Sequence, residues 1–244
     1  MNQPNYVHTT KIHNTNAANE VLPFIFDKFG SKAIVDIGCG TGSWLSVAKE
    51  MGATVIGIDV NYIEKELLCI KESEFQLHDL TLPISFEKKY DLAICLEVVE
   101  HLPENAADTI IETLTNASDI ILFSAAIPNQ GGQNHINEQW PVYWQKIFEK
   151  KGFYPVDILR PIFWENPKVD WWYKQNMLIY TTKKKMEVFG LQESKNFIST
   201  VHPELLNIKC AQIERLDKII EENIYNPKFM RSLKSLIKSI INER

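Results

Sequence analysis

The chain has 244 residues, 45% of them hydrophobic, and a formal net charge of −5. That length and apolar content suffice for a full buried core, and the acidic balance argues against nucleic acid, whose binders usually carry a basic field. No uninterrupted apolar run is long enough to cross a bilayer, and the polar N-terminus MNQPNYVHTT has no signal-peptide core, which sets the expectation of a cytoplasmic protein without a stable membrane anchor.

Strand and helix patterns alternate with short connections, the signature of a mostly parallel sheet covered on both faces. A helix fits Ala17–Phe29, followed by a strand at Ala33–Ile37 that runs into the turn Gly38–Gly42 of the segment IVDIGCGTG. Ile34, Val35 and Ile37 are apolar and β-branched, as a buried parallel strand requires. Gly38, Gly40 and Gly42 permit a tight turn and close approach of backbone to a ligand. A helix at Ser43–Glu50 follows, pointing its N-terminal amides the same way. The next strand, Thr54–Ile58, ends in Asp59, roughly twenty residues beyond the turn, where α/β folds place the carboxylate that grips a ribose diol. Further strands are expected at Glu74–Leu77, Asp91–Leu96, Ile120–Ser124, Pro155–Leu159 and Asn176–Thr182, with helices at Glu104–Thr115 and Gln139–Lys151. Cys39, Cys69, Cys95 and Cys210 form no CxxC pair and read as reduced thiols, Cys39 and Cys95 as small buried hydrophobes.

After Thr182 the composition shifts toward Lys, Glu, Asn and Ile, so a first domain is expected over 1–182 and a helical extension over 183–244. Two helical patterns occupy the extension, Pro203–Ile224 and Lys228–Asn242. In the second, Phe229, Leu233, Leu236, Ile237, Ile240 and Ile241 form an apolar stripe that is expected to pack on its own domain or to pair two copies as a homodimer. Its polar face carries Arg231, Lys234, Lys238 and Arg244, too sparse to hold a membrane surface without a second anchor.

The motifs VDIGCGTG, GIDV around Asp59, HDL around Asp79 and YDLAICLEVVEHL at Tyr90–Leu102 occur in the order found in class I S-adenosylmethionine-dependent methyltransferases, which this chain resembles over about Tyr6–Thr182. The resemblance implies a Rossmann-like α/β fold with a seven-stranded, mostly parallel sheet whose last strand is antiparallel. It further implies that Asp36, Gly38, Gly40, Gly42, Asp59 and Asp79 bind S-adenosylmethionine. The glycine turn would lie under the methionine moiety, Asp59 on the ribose hydroxyls and Asp79 at the adenine amine.

Chemistry beyond the cofactor points to Glu97, Glu100 and His101, an ExxEH sequence at the end of the fourth strand. A helical turn there puts all three on one face, where two carboxylates and an imidazole can coordinate a divalent cation such as Mn²⁺ or Mg²⁺. His135, in GGQNHINEQWP after the fifth strand, is a fourth candidate ligand. ExxEH followed by a distant His resembles the metal site of two O-methyltransferase groups, acting on small-RNA 3′ ends and in the ubiquinone pathway. In those groups the cation is chelated by two neighbouring acceptor hydroxyls and lowers the pKa of the attacking one. Without a metal, His101 or His135 is the candidate general base, imidazole titrating near neutral pH.

Five of the six tryptophans lie between Trp140 and Trp172, in segments expected to build the acceptor pocket, where exposed rings can stack on sugars. Trp144 reads as core. Arg160 reads either as a phosphate or pyrophosphate holder or as a surface ion pair. The combination NHINEQWP…WENPKVDWWYKQN resembles bacterial methyltransferases encoded among surface-polysaccharide genes. The expectation is thus O-methylation of a sugar hydroxyl, nucleotide-linked or in a surface-glycan precursor. An RNA 2′-O-methyltransferase, another small-metabolite methyltransferase and a non-enzymatic cofactor-binding scaffold stand as alternatives.

Overall fold

The computed structural model describes residues 14–59, 65–194, 199–224 and, farther on, 230–232, 234, 235 and 238. Seven strands are described: β1 (Ala33–Ile37), β2 (Thr54–Asp59), β3 (Phe75–Leu77), β4 (Leu92–Leu96), β5 (Ile120–Ser124), β6 (Phe153–Val156) and β7 (Leu178–Thr182). They form one sheet in the order β3-β2-β1-β4-β5-β7-β6. β1 pairs in parallel with both β2 and β4, while β7 runs antiparallel between β5 and β6. The order reverses between β1 and β4, so the carboxyl ends of these two strands flank the crevice where such sheets bind ligands.

Side-chain alternation explains why both faces need cover. Along β4, Leu92, Ile94 and Leu96 join one core layer with Val21, Leu22 and Ile25 of α1 (Asn16–Phe29) and Trp44 and Leu45 of α2 (Ser43–Glu50). Ala93 and Cys95 turn to the opposite layer, against Ile110, Ile111 and Leu114 of α3 (Ala107–Ala117) and Trp144 and Phe148 of α4 (Pro141–Lys150). Cys39 and Cys95 are buried, and all four cysteines are free thiols. Trp144 is core, with its ring centroid 5.8 Å from that of Phe123.

Three short helices depart from the sequence reading: α5 (Arg160–Phe163), α6 (Trp171–Asn176) and α7 (Lys183–Phe189). None is long enough to show a 3.6-residue period. The expected strand Pro155–Leu159 lies two to three residues earlier, at β6, because Asp157 leaves the sheet to pair with Arg160. Asn176 closes α6 and does not open β7.

By contacts the chain divides into residues 1–200 and 201–244. The first unit therefore includes α7, whose Met186 is buried and whose Phe189 meets Phe29 edge-on with ring centroids 5.1 Å apart. The second contains α8 (Pro203–Ile224), 22 residues long, on which Leu206, Ile213, Leu216 and Ile220 are exposed. The stripe expected at Phe229, Leu233, Leu236, Ile237, Ile240 and Ile241 lies outside the described residues. No described helix is long and apolar enough to cross a membrane.

Candidate active site

The glycine turn is built around side chains of this chain. Gly38 has φ 85°, and a Cβ added to it would sit 2.3 Å from Cγ2 of Val98. The absent Cβ thus makes room for the segment that follows β4, and the turn and ExxEH interlock. The Gly40 N–H donates to Asp59 Oδ2 at 2.8 Å, tying the turn to the end of β2. Asp59 and Asp36 are both buried. Burial, and secondarily the Asp59 charge, holds the Asp36 carboxyl well above the usual carboxylate range. Burial likewise raises the Cys39 thiol, leaving it unreactive. Asp79 is exposed, accepts from the Thr81 N–H (2.9 Å) and hydroxyl (2.7 Å), and is held below its usual range by those two bonds.

Beyond β4 the backbone does not enter one continuous helical turn. Glu97 has φ 54°, a left-handed conformation costly for a residue with a Cβ, and a 3-10 turn begins only at Val99 and runs to His101. Glu97 consequently stands outside the helical turn of Glu100 and His101, although its carboxyl still lies against that of Glu100. Glu100 is fully buried and its carboxyl makes no well-formed hydrogen bond, although the backbone N–H groups of Glu100 and Ala126 and the Glu97 carboxyl lie close to it. Burial, then the Glu97 charge, pushes its titration well up. His101 is pushed down to about 4, first by burial and then by His135, so its ring is neutral at physiological pH. The His101 and His135 rings meet edge-on with centroids 4.9 Å apart. One donor atom from each of Glu100, His101 and His135 lies within 4.8 Å of the others. Glu97 is not in that group.

The Glu97 carboxylate is instead held by amides. Gln130 Nε2 donates to Oε2 at 2.8 Å and Asn176 Nδ2 to Oε1 at 3.1 Å. Gln130 Oε1 in turn accepts from Asn176 Nδ2 (2.9 Å), Gln175 Nε2 (3.2 Å) and the Ile127 N–H (3.3 Å). Gln130, Gln175 and Asn176 are all buried. The network joins the ends of β4 and β5 to the start of β7. Burial still raises Glu97 above its usual range, while these amides partly offset the shift.

A sequence profile described as "Methyltransferase domain" matches residues 11–165. The chain belongs to the methyltransferase-domain family. Among curated relatives, it is 26% identical over 123 residues to an uncharacterised protein, MJ0638, of Methanocaldococcus jannaschii, covering 49% of this chain and 53% of the relative. It is 28% identical over 82 residues to a ubiquinone biosynthesis O-methyltransferase of Coxiella burnetii, covering 30% of this chain and 34% of the relative. The chain thus spans between a third and about half of the length of these relatives. Among solved structures, magnesium protoporphyrin IX methyltransferase (ChlM) of Synechocystis with bound SAH superposes with TM-score 0.52 at 19% identity. That superposition covers 74% of this chain and 90% of the other. The methyltransferase domain therefore has the seven-stranded Rossmann-like fold expected from its motifs.

S-adenosylmethionine fits what the methyltransferase turn offers. The Thr41 hydroxyl, between two of its glycines, is buried without a partner, and the buried Asp59 carboxylate sits at the end of β2. Arg160 does not suit a phosphate: its guanidinium is buried and bonded to Asp157, the Gln175 carbonyl and Thr200 Oγ1. The ion-pair reading is the one observed, though in a buried setting. Trp171 and Trp172 are half-buried on α6, whose last residue is Asn176. Sequence reasoning did not single out Gln130, Gln175, Asn176 or Glu138. Amide and acid side chains in irregular segments carry no periodic signal, and the bonds they make span as many as 79 residues.

Proposed function

We propose that this domain is an S-adenosylmethionine-dependent O-methyltransferase acting on a hydroxyl of a small acceptor, a sugar or sugar nucleotide, with a divalent cation at Glu100, His101 and His135. The observation that carries the reading is the convergence of those three side chains, with the Glu100 carboxyl fully buried and without a well-formed hydrogen bond. A buried carboxyl without partners is costly unless a ligand completes it. Asp36, Gly38, Gly40, Gly42, Asp59 and Asp79 are assigned to the cofactor, with Asp59 on the ribose diol. Bound S-adenosylmethionine supplies an electrophilic methyl group, so the protein's main tasks are alignment and exclusion of water. A cation at the triad would lower the pKa of a coordinated acceptor hydroxyl. The neutral His101 ring keeps an electron pair for coordination or for taking up a proton, and His135 is the other candidate base. Half-buried indoles on α6 support a sugar ring as the acceptor, and the net charge of −5 disfavours a polyanion. The exposed apolar residues of α8 support pairing of two copies.

The test is release of S-adenosylhomocysteine from S-adenosylmethionine across a panel of sugar nucleotides, catechols and short RNAs, each with chelator, Mn²⁺ or Mg²⁺. Turnover on a sugar nucleotide, abolished by chelator and restored by Mn²⁺, is expected. Turnover on RNA alone, or full turnover in excess chelator, refutes the acceptor or the cation respectively.

A further inference from the structure

We propose that Glu138 is a positioning residue that holds His135 in the tautomer carrying hydrogen on Nδ1, leaving Nε2 as the ring's electron-pair donor at the site. The inference takes from the proposed function only that His135 works there. It rests on how the loop between β5 and α4 is built. Glu138 Oε1 lies 2.8 Å from His135 Nδ1 and 2.7 Å from the Gly131 N–H, while Oε2 lies 2.7 Å from the Asn129 N–H. A backbone N–H can only donate, and a carboxylate can only accept. As a carboxylate accepting from two backbone donors, Glu138 has only acceptors to offer, so its third partner at Oε1 is an N–H. His135 Nδ1 carries that hydrogen, so in the neutral ring the free electron pair is on Nε2.

The rest of the loop serves the same placement. Asn129 (φ 67°), Gly131 (φ 74°) and Asn134 (φ 60°) are left-handed, folding the chain back so that the carboxylate of Glu138 reaches residues seven to nine positions earlier. A Cβ added at Gly132 would lie 2.2 Å from His135 Nε2 and 2.5 Å from Cε1, so the imidazole occupies the space this glycine leaves. On the other limb, the Ile136 and Asn137 N–H groups both donate to the Glu100 carbonyl, at 2.9 and 3.0 Å. The loop is thus pinned to the turn that carries Glu100 and His101, with the His135 ring edge-on to that of His101. A carboxylate bonded to the far nitrogen of a histidine also strengthens the near nitrogen as a donor, and loss of such a partner typically weakens metal binding 10–100-fold.

The experiment is long-range ¹H–¹⁵N correlation of the imidazoles in uniformly ¹⁵N-labelled full-length protein, above the range in which histidine titrates, with His135 assigned by its disappearance in His135→Gln. The expected wild-type pattern is a protonated Nδ1 and an unprotonated Nε2. Glu138→Gln keeps the shape but cannot accept at all three positions; it should populate the other tautomer and weaken Mn²⁺ binding 10–100-fold by titration of the free ion, with S-adenosylhomocysteine affinity unchanged. Gly132→Ala, which leaves Glu138 intact, should displace the ring and weaken Mn²⁺ similarly. If Glu138→Gln does not fold, the wild-type spectrum and Gly132→Ala decide. A wild-type His135 protonated on Nε2, or a Glu138→Gln protein with unchanged tautomer and Mn²⁺ affinity, overturns the proposal. A wild type that shows the expected tautomer but binds no Mn²⁺ refutes only the cation, and leaves Glu138 as the residue that orients His135 as a base.

Discussion

Gly38→Ala should destabilise the protein by about 2–5 kcal/mol, and most of that should be traceable to one neighbour. A residue with a Cβ held at φ 85° costs about 1–2 kcal/mol relative to glycine. The new methyl group would also stand 2.3 and 2.5 Å from the two γ-carbons of Val98 and 3.0 Å from its Cβ. Val98 is buried and cannot swing into solvent, so overpacking adds about 1–3 kcal/mol. Val98→Ala removes the two closest atoms and costs roughly 1–3 kcal/mol through the cavity it leaves. Combined, the two substitutions should be less harmful than their sum by about 1–3 kcal/mol, because the overpacking disappears while the backbone strain stays. Urea unfolding of the four proteins of this cycle gives the coupling, and calorimetry with S-adenosylhomocysteine reports whether the turn still holds ligand. A Gly38→Ala protein within about 0.5 kcal/mol of wild type would refute the reasoning. Strict additivity would instead show that Val98 is not what the glycine accommodates.

Asp59→Ala should lower S-adenosylhomocysteine affinity at least tenfold, since each charge-assisted bond to a ribose hydroxyl is worth about 1.5–3 kcal/mol; unchanged affinity in calorimetry would place the ribose elsewhere. His101 titrates near 4 in the folded protein against 6.5 in a free chain, so the unfolded state binds more protons between these values and stability is lost as pH falls from 6.5 to 4. The difference in unfolding free energy between wild type and His101→Gln should therefore change by about 3 kcal/mol across that window, and a pH-independent difference would mean the ring titrates normally. A chain ending after Thr182 loses the buried Met186, the Phe189 contact with Phe29, and Ser194, which bonds both Pro155 and Asp157. Its Tm should fall clearly below that of a chain ending after Thr200, and equal Tm values would show that 183–200 contributes nothing to the first unit.

The central sheet was legible because its information is local. Runs such as Ile34–Ile37 and Ile120–Ser124 are apolar enough to be buried on both faces, and the structure returns β1, β5 and α2 with the expected ends. Legibility ended where geometry depends on contacts far apart in sequence. ExxEH reads as one helical face only if Glu97 is helical; its left-handed backbone, fixed by Ser124 beneath and by Gln130 and Asn176 alongside, turns it toward the amides. The sequence leaves Arg160 open between a phosphate holder and an ion pair, and Asp157, three residues earlier, decides for the pair. In the loop before α4 the sequence shows two glycines and a histidine, and room for a ligand is the natural inference. The room beside Gly132 is filled by His135 itself.

The polar residues at this edge of the sheet make no sense as stabilising elements. Glu97 holds a left-handed backbone that costs about 1–2 kcal/mol, Glu100 buries a carboxyl without a well-formed hydrogen bond, and Asp36 is a buried carboxyl whose titration burial pushes well up. Leucine in place of Asp36 or Glu100 would avoid the burial penalties, as the apolar residues of β4 and β5 do, and glycine in place of Glu97 would avoid the backbone one. Unfavourable groups persist where the surrounding structure over-determines them, and here it visibly does: a glycine turn locked over Val98, a loop closed by Glu138 and an amide hub at Gln130. Most of these constraints converge on the ends of β4 and β5, beside the point where strand order reverses. Strain concentrated at one end of an otherwise conventional core is what separates a site shaped for a ligand from a sheet edge that merely closes a fold.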